Sequence, residues 1–336
     1  MPNDHALILA PFSDNQLTRL RLELGVTYES WMDSRKLYGP DELAQRLLEE
    51  NCSVLVIESD FAFAETFGQV PGLRFVGICR TATNHVDVEA ATKCGIVVVN
   101  TPGRNARAVA EHTLGLMLAL ARKIPQSHNY VRDGSWQDPT EPYTTLRGIE
   151  LHGRTVGIIG LGAIGLLVAE ICRALGMNVL GYDPYSDPDL AYLCKVELDD
   201  LLARADFVDV HVPLTAETQG MLNAGSLALM KPTAYLVSAS DTGVFDGNAL
   251  AEALAEKRMA GAAVDVFESH PVSPQSPLLA LDNVVLTPHI GGATEETVER
   301  HSRMMADDIL RFRNGRRPLN LVNPDAWSPD ACAEGS

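Results

Sequence analysis

The sequence predicts an α/β protein with two doubly wound parallel sheets. Three observations carry this. Short apolar, β-branched runs alternate with helical patterns almost throughout the 336 residues, as in chained βαβ units. The runs fall into two series, parted by one long apolar helix pattern. No uninterrupted apolar run approaches the length of a membrane span, and there is no internal repeat or low-complexity tract.

In the first series, strands are expected at residues 6–10, 54–58, 75–79 and 96–100, with helices at 40–50 and 87–94 between them. From Gly103 to about Arg122, Val109, Leu114, Leu116, Met117, Leu118 and Leu120 make a helix too apolar all round to face solvent. Burial against another domain or subunit is expected for it. The second series has strands at 155–159, 178–182, 207–211, 234–238, 261–266 and 284–286, enough for a complete doubly wound sheet. A last helix of about 20 residues starts at the cap Thr294 and stops at Gly315. The tail from Asn323, rich in Pro, Asp, Ala and Ser, is expected to be loosely held.

Composition narrows the function. Hydrophobic residues at 46% and charged residues at 21% are ordinary for a globular chain and exclude a disordered, collagen-like or coiled-coil protein. The 44 Asp and Glu against 27 Lys and Arg give a net charge of −17, which repels nucleic acid and anionic membrane. The densest basic cluster, Arg311, Arg313, Arg316 and Arg317, sits where cations suit the end of the last helix. The six cysteines (Cys52, Cys79, Cys94, Cys172, Cys194, Cys332) form no C-x-x-C pair and no metal-ligand spacing, and most lie in apolar stretches. No metal is expected. The first residues lack the basic and apolar regions of a signal peptide, so a cytoplasmic protein is expected.

One motif carries chemistry on its own. Gly160-Leu161-Gly162-Ala163-Ile164-Gly165 follows the strand at 155–159 and opens a helical segment. The first Gly makes a tight turn, the second lets main chain approach a pyrophosphate, and the third allows helix to pack on strand. The helix N-terminus then offers free N–H groups to phosphate. Asp183 ends the next strand, 18 residues beyond Gly165, where a carboxylate accepts ribose hydroxyls and repels a 2′-phosphate. Pro184-Tyr185-Ser186 offers no Arg to hold such a phosphate. NAD is the expected cofactor.

Further motifs run in order along the chain: Thr83-Asn84-His85-Val86-Asp87, Asn100-Thr101-Pro102-Gly103-Arg104-Asn105, Val109-Ala110-Glu111, the segment 151–162, His211-Val212-Pro213-Leu214-Thr215, Gly261–Phe267 and Thr287-Pro288-His289-Ile290-Gly291-Gly292. With them the chain resembles the D-isomer-specific 2-hydroxyacid dehydrogenase family, which includes phosphoglycerate dehydrogenase. The resemblance extends from about Val54 to Leu321. It implies a flavodoxin-like substrate domain of residues 1–102 plus 295–322, an inserted Rossmann NAD domain of 103–294, and a flexible tail of 323–336. It also implies a homodimer using the long apolar helix, and an active site in a cleft that closes by hinge motion. Contacts to NAD would come from Gly160, Gly162, Ala163, Ile164, Gly165, Asp183, His211, Val212, Pro213, Thr218, Ala239, Ser240, Asp265, His289, Gly291 and Gly292. Asp265 would sit near the nicotinamide carboxamide, and the loop Arg80-Thr81-Ala82 would face a small-molecule substrate.

Members of the family are expected to grip a substrate carboxylate with an Arg, to move the hydroxyl proton with a His, and to raise that His's pKa with a Glu. His289 matches the His; as a lone residue it would read equally well as structural. The other two positions depart. Asp241 stands at the Arg position, in Leu236-Val237-Ser238-Ala239-Ser240-Asp241-Thr242-Gly243, and His270 stands at the Glu position, in Asp265–Pro271. Glu268, two residues before His270, is a minor candidate for a relocated Glu. Three readings follow: an NAD oxidoreductase with an altered substrate, a non-catalytic NAD(H)-responsive binding protein, or an ordinary 2-hydroxyacid dehydrogenase in which Arg80, Arg104 or Arg107 has taken over the carboxylate.

Overall fold

The computed structural model describes residues 4–328. These form two units: residues 4–104 with 294–328, and Asn105–Ala293.

The first unit is a five-stranded parallel sheet of order β2-β1-β3-β4-β5, where β1 is His5–Ile8, β2 Gly25–Tyr28, β3 Val54–Ile57, β4 Phe75–Ile78 and β5 Val97–Asn100. That is the flavodoxin-like order. Its inner strands are apolar on both faces because helices cover both. Ala6, Ile8, Val54, Val56, Phe75, Val97 and Val99 face Leu17 and Leu20 of helix Asp14–Arg21 and Met305, Ile309 and Phe312 of helix Glu295–Arg313. The alternate residues Leu7, Leu55, Ile57, Val76, Ile78 and Val98 pack on Leu43, Leu47 and Phe67. A side chain at Gly77 would run into the Met305 thioether, so that glycine lets the last helix lie on the sheet. The last helix is capped by Thr294, whose hydroxyl accepts from the Thr297 N–H at 3.1 Å, and Gly315 follows it in the left-handed region.

Two expectations for this unit need correcting. Strand β2 and helix Asp14–Arg21 were not anticipated; β2 is a partly exposed edge strand without a continuous apolar run. The loose tail does not begin at Asn323. That residue is buried, and its carboxamide accepts from the Val98 N–H at 2.7 Å and donates to the Ile96 carbonyl and Thr92 hydroxyl, each at 2.9 Å. Residues 320–322 run along the outer edge of β5, with Val322 N–H on Val98 O and an antiparallel bridge between Leu321 and Val99. The rest of the expected tail from residue 329, including Cys332, lies outside the described residues. Of the described cysteines in both units, most of which read as small core residues, Cys52, Cys79 and Cys172 are buried and Cys94 and Cys194 are exposed. Burial pushes the Cys52 and Cys172 thiols up to about 12.

The second unit is a seven-stranded parallel sheet of order β12-β11-β10-β9-β6-β7-β8. Here β6 is Thr155–Ile159, β7 Asn178–Tyr182, β8 Leu193–Lys195, β9 Phe207–Val210, β10 Tyr235–Ser238, β11 Gly261–Val264 and β12 Val284–Leu286. Six strands were expected; the seventh, β8, is a three-residue edge strand too short and exposed to register as an apolar run. The order reverses between β6 and β9, the switch point at whose carboxyl ends ligands bind in such sheets. The long helix is Ala106–Ala121, and its apolarity is explained within this unit. Ala110, Leu116, Met117, Leu120 and Ala121 pack with Val168, Ala169 and Cys172 of helix Ala163–Ala174 and with Val156, Ile158, Val237 and Ala263 of the sheet. A second domain or subunit is not needed to bury those side chains. Among the described residues, no helix is long and apolar enough to cross a membrane.

Candidate active site

At the switch point the glycines are forced by close approach. Gly160 has φ +96°, and a Cβ there would come within 2.6 Å of the His211 carbonyl at the end of β9. A Cβ on Gly165 would strike the Gly160 carbonyl, so the helix can lie on β6 only with glycine there. Gly162, by contrast, has open space around it and is the N-cap of helix Ala163–Ala174 with no side-chain cap bond. The first N–H groups of that helix, from Ala163, Ile164 and Gly165, therefore stay available to an anion, and a bare main chain lies before them.

Asp183 closes this turn. Its carboxylate accepts from the Leu161 N–H at 2.8 Å, the Tyr185 N–H at 2.8 Å and the Ser186 N–H at 3.0 Å. Tyr185 reaches from there to hydrogen-bond Glu217, a second acid on the same side. The cation that approaches, Lys195, donates to Ser186 O and pairs with Asp187. These residues fit NAD: a main-chain cradle for the phosphates and carboxylates where a 2′-phosphate would have to lie.

His211 sits lower than expected. Its side chain is 1% exposed and donates from Nε2 to Asp209 at 2.6 Å, so only its main chain borders the turn. Thr218 is spent on its own loop, donating to Pro213 O at 2.6 Å, and Val212 packs under the sheet end. Ser240, after Ala239 in the loop following β10, donates to Val210 O at 2.6 Å and ties that loop to β9.

The reactive end lies after β10, β11 and β12. Asp265, directly after β11, is buried, and both of its carboxylate oxygens are engaged. Oδ1 accepts from the Thr287 hydroxyl at 2.5 Å and the Ile290 N–H at 3.0 Å; Oδ2 accepts from the Gly291 N–H at 2.9 Å. Its carbonyl accepts the His289 N–H at 2.8 Å. Behind them His112, from the long helix, donates through Nε2 to Thr287 Oγ1 at 3.2 Å. Burial works to raise the Asp265 pKa, but the hydrogen bonds from His112, Thr287, Ile290 and Gly291 outweigh it and hold the carboxyl well below the usual range. Asp265 thus suspends the whole turn 287–291 from one anion. Sequence reasoning missed His112 and Thr287; the helix places His112 three residues beyond Val109, but only the fold shows which anion it faces. Gly292 packs against Asn105, where a Cβ would come within 2.9 Å of the carboxamide.

His289 rides on that turn with φ +56° and an exposed side chain. Its Nδ1 lies 2.9 Å from Nε2 of His270, with ring centroids 4.9 Å apart. The two histidines singled out from the sequence are therefore in direct contact. Asp241 is exposed and accepts from the Gly243 N–H at 3.1 Å, capping the short turn Thr242–Val244.

In the first unit, Arg80-Thr81-Ala82 follows β4. The carbonyls of Arg80 and Thr81 accept from Thr101 N–H and Asn100 Nδ2, and Thr81 and Ala82 are exposed. His85 lies buried near them; burial first, then the Arg80 charge, push its pKa down to about 4. Arg104 is not a spare cation. Its guanidinium bonds Glu58 and donates to Nδ1 of His301 at 2.6 Å, and His301 donates from Nε2 to the Pro11 carbonyl at 2.7 Å. Burial keeps that imidazole neutral, with a pKa pushed down to about 4. Arg107 is exposed, on the first turn of the long helix of the second unit.

Residues 114–291 match the model of the D-isomer specific 2-hydroxyacid dehydrogenase NAD-binding domain. The chain belongs to this family. It is 41% identical over 280 residues to a glyoxylate reductase of Korarchaeum cryptofilum, covering 82% of this chain and 84% of that one. It is 43% identical over 269 residues to a D-3-phosphoglycerate dehydrogenase of Archaeoglobus fulgidus, covering 79% of this chain but only 50% of that longer protein. Among solved structures it resembles the TT0316 protein of Thermus thermophilus, with a TM-score of 0.83 and 35% identity over 95% of this chain and all of that one. As a member of the family it is an NAD-dependent oxidoreductase of the hydroxyacid dehydrogenase type. Among the described residues, no cluster of His, Cys, Asp or Glu could hold a metal ion.

Proposed function

We infer that the chain interconverts a secondary alcohol and its carbonyl, with His289 as acid–base, on a substrate that presents no carboxylate to Asp241. NAD supplies the hydride chemistry when bound. The observation that carries this reading is the pairing of a rigidly suspended His289 with an altered electrostatic surround. Asp265 holds the His289 turn through four hydrogen bonds, three to its carboxylate and one to its carbonyl. An acid–base group needs such fixed placement, because a misplaced proton acceptor loses most of its effect.

The Asp241 carboxylate sets the substrate class. Losing an Arg–carboxylate grip costs about 2–5 kcal/mol, and a like charge at about 4 Å, screened by solvent because Asp241 is exposed, adds about 1 kcal/mol of repulsion. Together these exceed roughly a hundredfold in rate or affinity for a simple 2-hydroxy acid. A polyol, a sugar acid gripped away from Asp241, or an amino-bearing alcohol suits a carboxylate better. Among the surrogate cations, Arg104 is occupied by Glu58 and His301, which leaves Arg80 and Arg107 for an ordinary hydroxyacid reading.

The test is NAD-linked turnover across 2-hydroxy acids, polyols and amino alcohols, with His289→Ala alongside. Turnover concentrated on substrates without a 1-carboxylate, and lost about 100-fold or more in His289→Ala, is the expected result. Hydroxy-acid turnover that falls on Arg80→Ala or Arg107→Ala would replace this reading with the surrogate grip. NAD binding with no turnover anywhere on the panel would favour an NAD(H)-responsive binding protein.

A further inference from the structure

We propose that His270 is a proton relay for His289, so that the imidazole pair serves as a port between the reacting hydroxyl and solvent. The inference rests on the reading of His289 as the acid–base. Its basis is the contact itself: His289 Nδ1 and His270 Nε2 are 2.9 Å apart, on loops that follow β12 and β11, and both rings are exposed.

A hydrogen bond between two imidazole nitrogens needs one proton in the bridge, and that proton's position fixes the tautomer of His289. With the proton on His289 Nδ1, the opposite nitrogen Nε2 carries a lone pair and is ready to accept from an alcohol. With the proton on His270 Nε2, His289 Nε2 carries hydrogen and is ready to donate to a carbonyl oxygen. A carboxylate partner could not do this: it would pin the proton on His289 and hold it there.

The step moves protons only. The substrate O–H breaks as an N–H forms at His289 Nε2. The Nδ1–H of His289 passes to Nε2 of His270, and the Nδ1–H of His270 leaves to water. Each ring ends with the hydrogen count it began with, and one proton has crossed from substrate to solvent. The reverse sequence supplies a proton for reduction. The titratable groups on the surrounding elements are Glu268 on the loop of His270, Asp265 and His112 beneath the His289 turn, and Asp241 on the loop after β10. Asp265 is turned onto the Ile290 and Gly291 N–H groups and Asp241 onto Gly243 N–H.

The test uses the full chain labelled with ¹⁵N-histidine, with NAD present, and follows the ring nitrogens of both residues from about pH 5 to pH 9. The expected result is that each protonation step is felt by the ring nitrogens of both residues, and that the His289 curve changes in His270→Gln. Gln can accept the Nδ1–H bond but cannot take the proton. Independent single steps, with the His289 curve unchanged in His270→Gln, would overturn the relay. On any substrate that turns over, His270→Gln should lower kcat about tenfold or more with KM little changed, and His270→Glu, which pins the proton on His289, should not restore it. Unchanged turnover in His270→Gln would also overturn the relay while leaving His289 as the acid–base. Unchanged turnover in His289→Ala would instead remove the reading on which the relay rests.

Discussion

The two ends of the seven-stranded sheet's carboxyl edge are built from different material. Around β6 and β7 the site is main chain: Gly160 against the His211 carbonyl, Gly165 against the Gly160 carbonyl, and Asp183 closing on three N–H groups. Around β10 to β12 the outermost groups are side chains on exposed loops, Asp241 and His270, which cap a turn or touch one neighbour. The lesson concerns what each end tolerates. A site made of main chain admits few side chains without moving the chain, whereas a site made of exposed side chains can change chemistry with the fold untouched. This accounts for a chain that keeps the nucleotide turn of its family while its reactive loops carry Asp241 and His270.

Substitutions should break that comparison in graded fashion. The largest effect belongs to Gly165→Ala, whose methyl group meets the Gly160 carbonyl and must open the turn. Overpacking of this kind costs about 1–3 kcal/mol, and NAD affinity measured by calorimetry should fall about 100-fold. Retained affinity would mean that the turn is plastic and the contrast between the two ends false.

Next comes Asp265→Asn, at the one place where the reactive end depends on a buried anion. An amide cannot accept all the donors that the carboxylate does, so a loss of about 2 kcal/mol is expected in urea unfolding. The pH dependence has a definite sign. The folded pKa of Asp265 lies below its unfolded value, so its contribution is fully present above the unfolded pKa and is lost as pH falls through the folded one. The gap between native chain and variant should hold steady from about pH 8 to pH 5 and narrow below about pH 4. A gap that widened in acid would contradict the suspended-turn account.

The smallest effect is Asp241→Asn. With an exposed side chain whose cap bond an amide oxygen can keep, Tm should stay within about 1 °C. Removing the charge should nonetheless raise activity on 2-hydroxy acids about tenfold relative to polyols. No shift in that ratio would show that Asp241 faces no substrate.

Much of this was legible in the sequence, for a physical reason in each case. The inner strands announce themselves because helices on both faces demand continuous apolar runs, as in Val54–Ile57 and Phe75–Ile78. The glycine turn was legible because its constraints are local. Two of the edge strands were not: Gly25–Tyr28 and Leu193–Lys195 owe their form to a neighbour rather than to their own pattern. The same holds for side chains whose partners are distant in sequence. Asp209 meets His211 inside the sheet, Arg104 meets Glu58 and His301, and His112 meets Thr287 only through the fold. The contact between His270 and His289 needed the fold too, although motif position had marked both residues. The helix at 106–121 was legible as covered but not in what covers it, because uniform apolarity tells only the former.

The strap along β5 has a consequence for how the chain is made. A parallel edge strand left open is a template on which other chains can pair. Here that edge is closed by residues 320–323, and the face behind it is closed by Met305, Ile309 and Phe312. All of these are synthesised after the whole of Asn105–Ala293. At ordinary translation rates the first sheet waits on the order of 10–40 s, with Phe75, Val97 and Val99 uncovered, before its last helix and strap emerge. The nascent first unit is thus a natural client for a holding chaperone, and its completion is timed by the unit inserted in its middle.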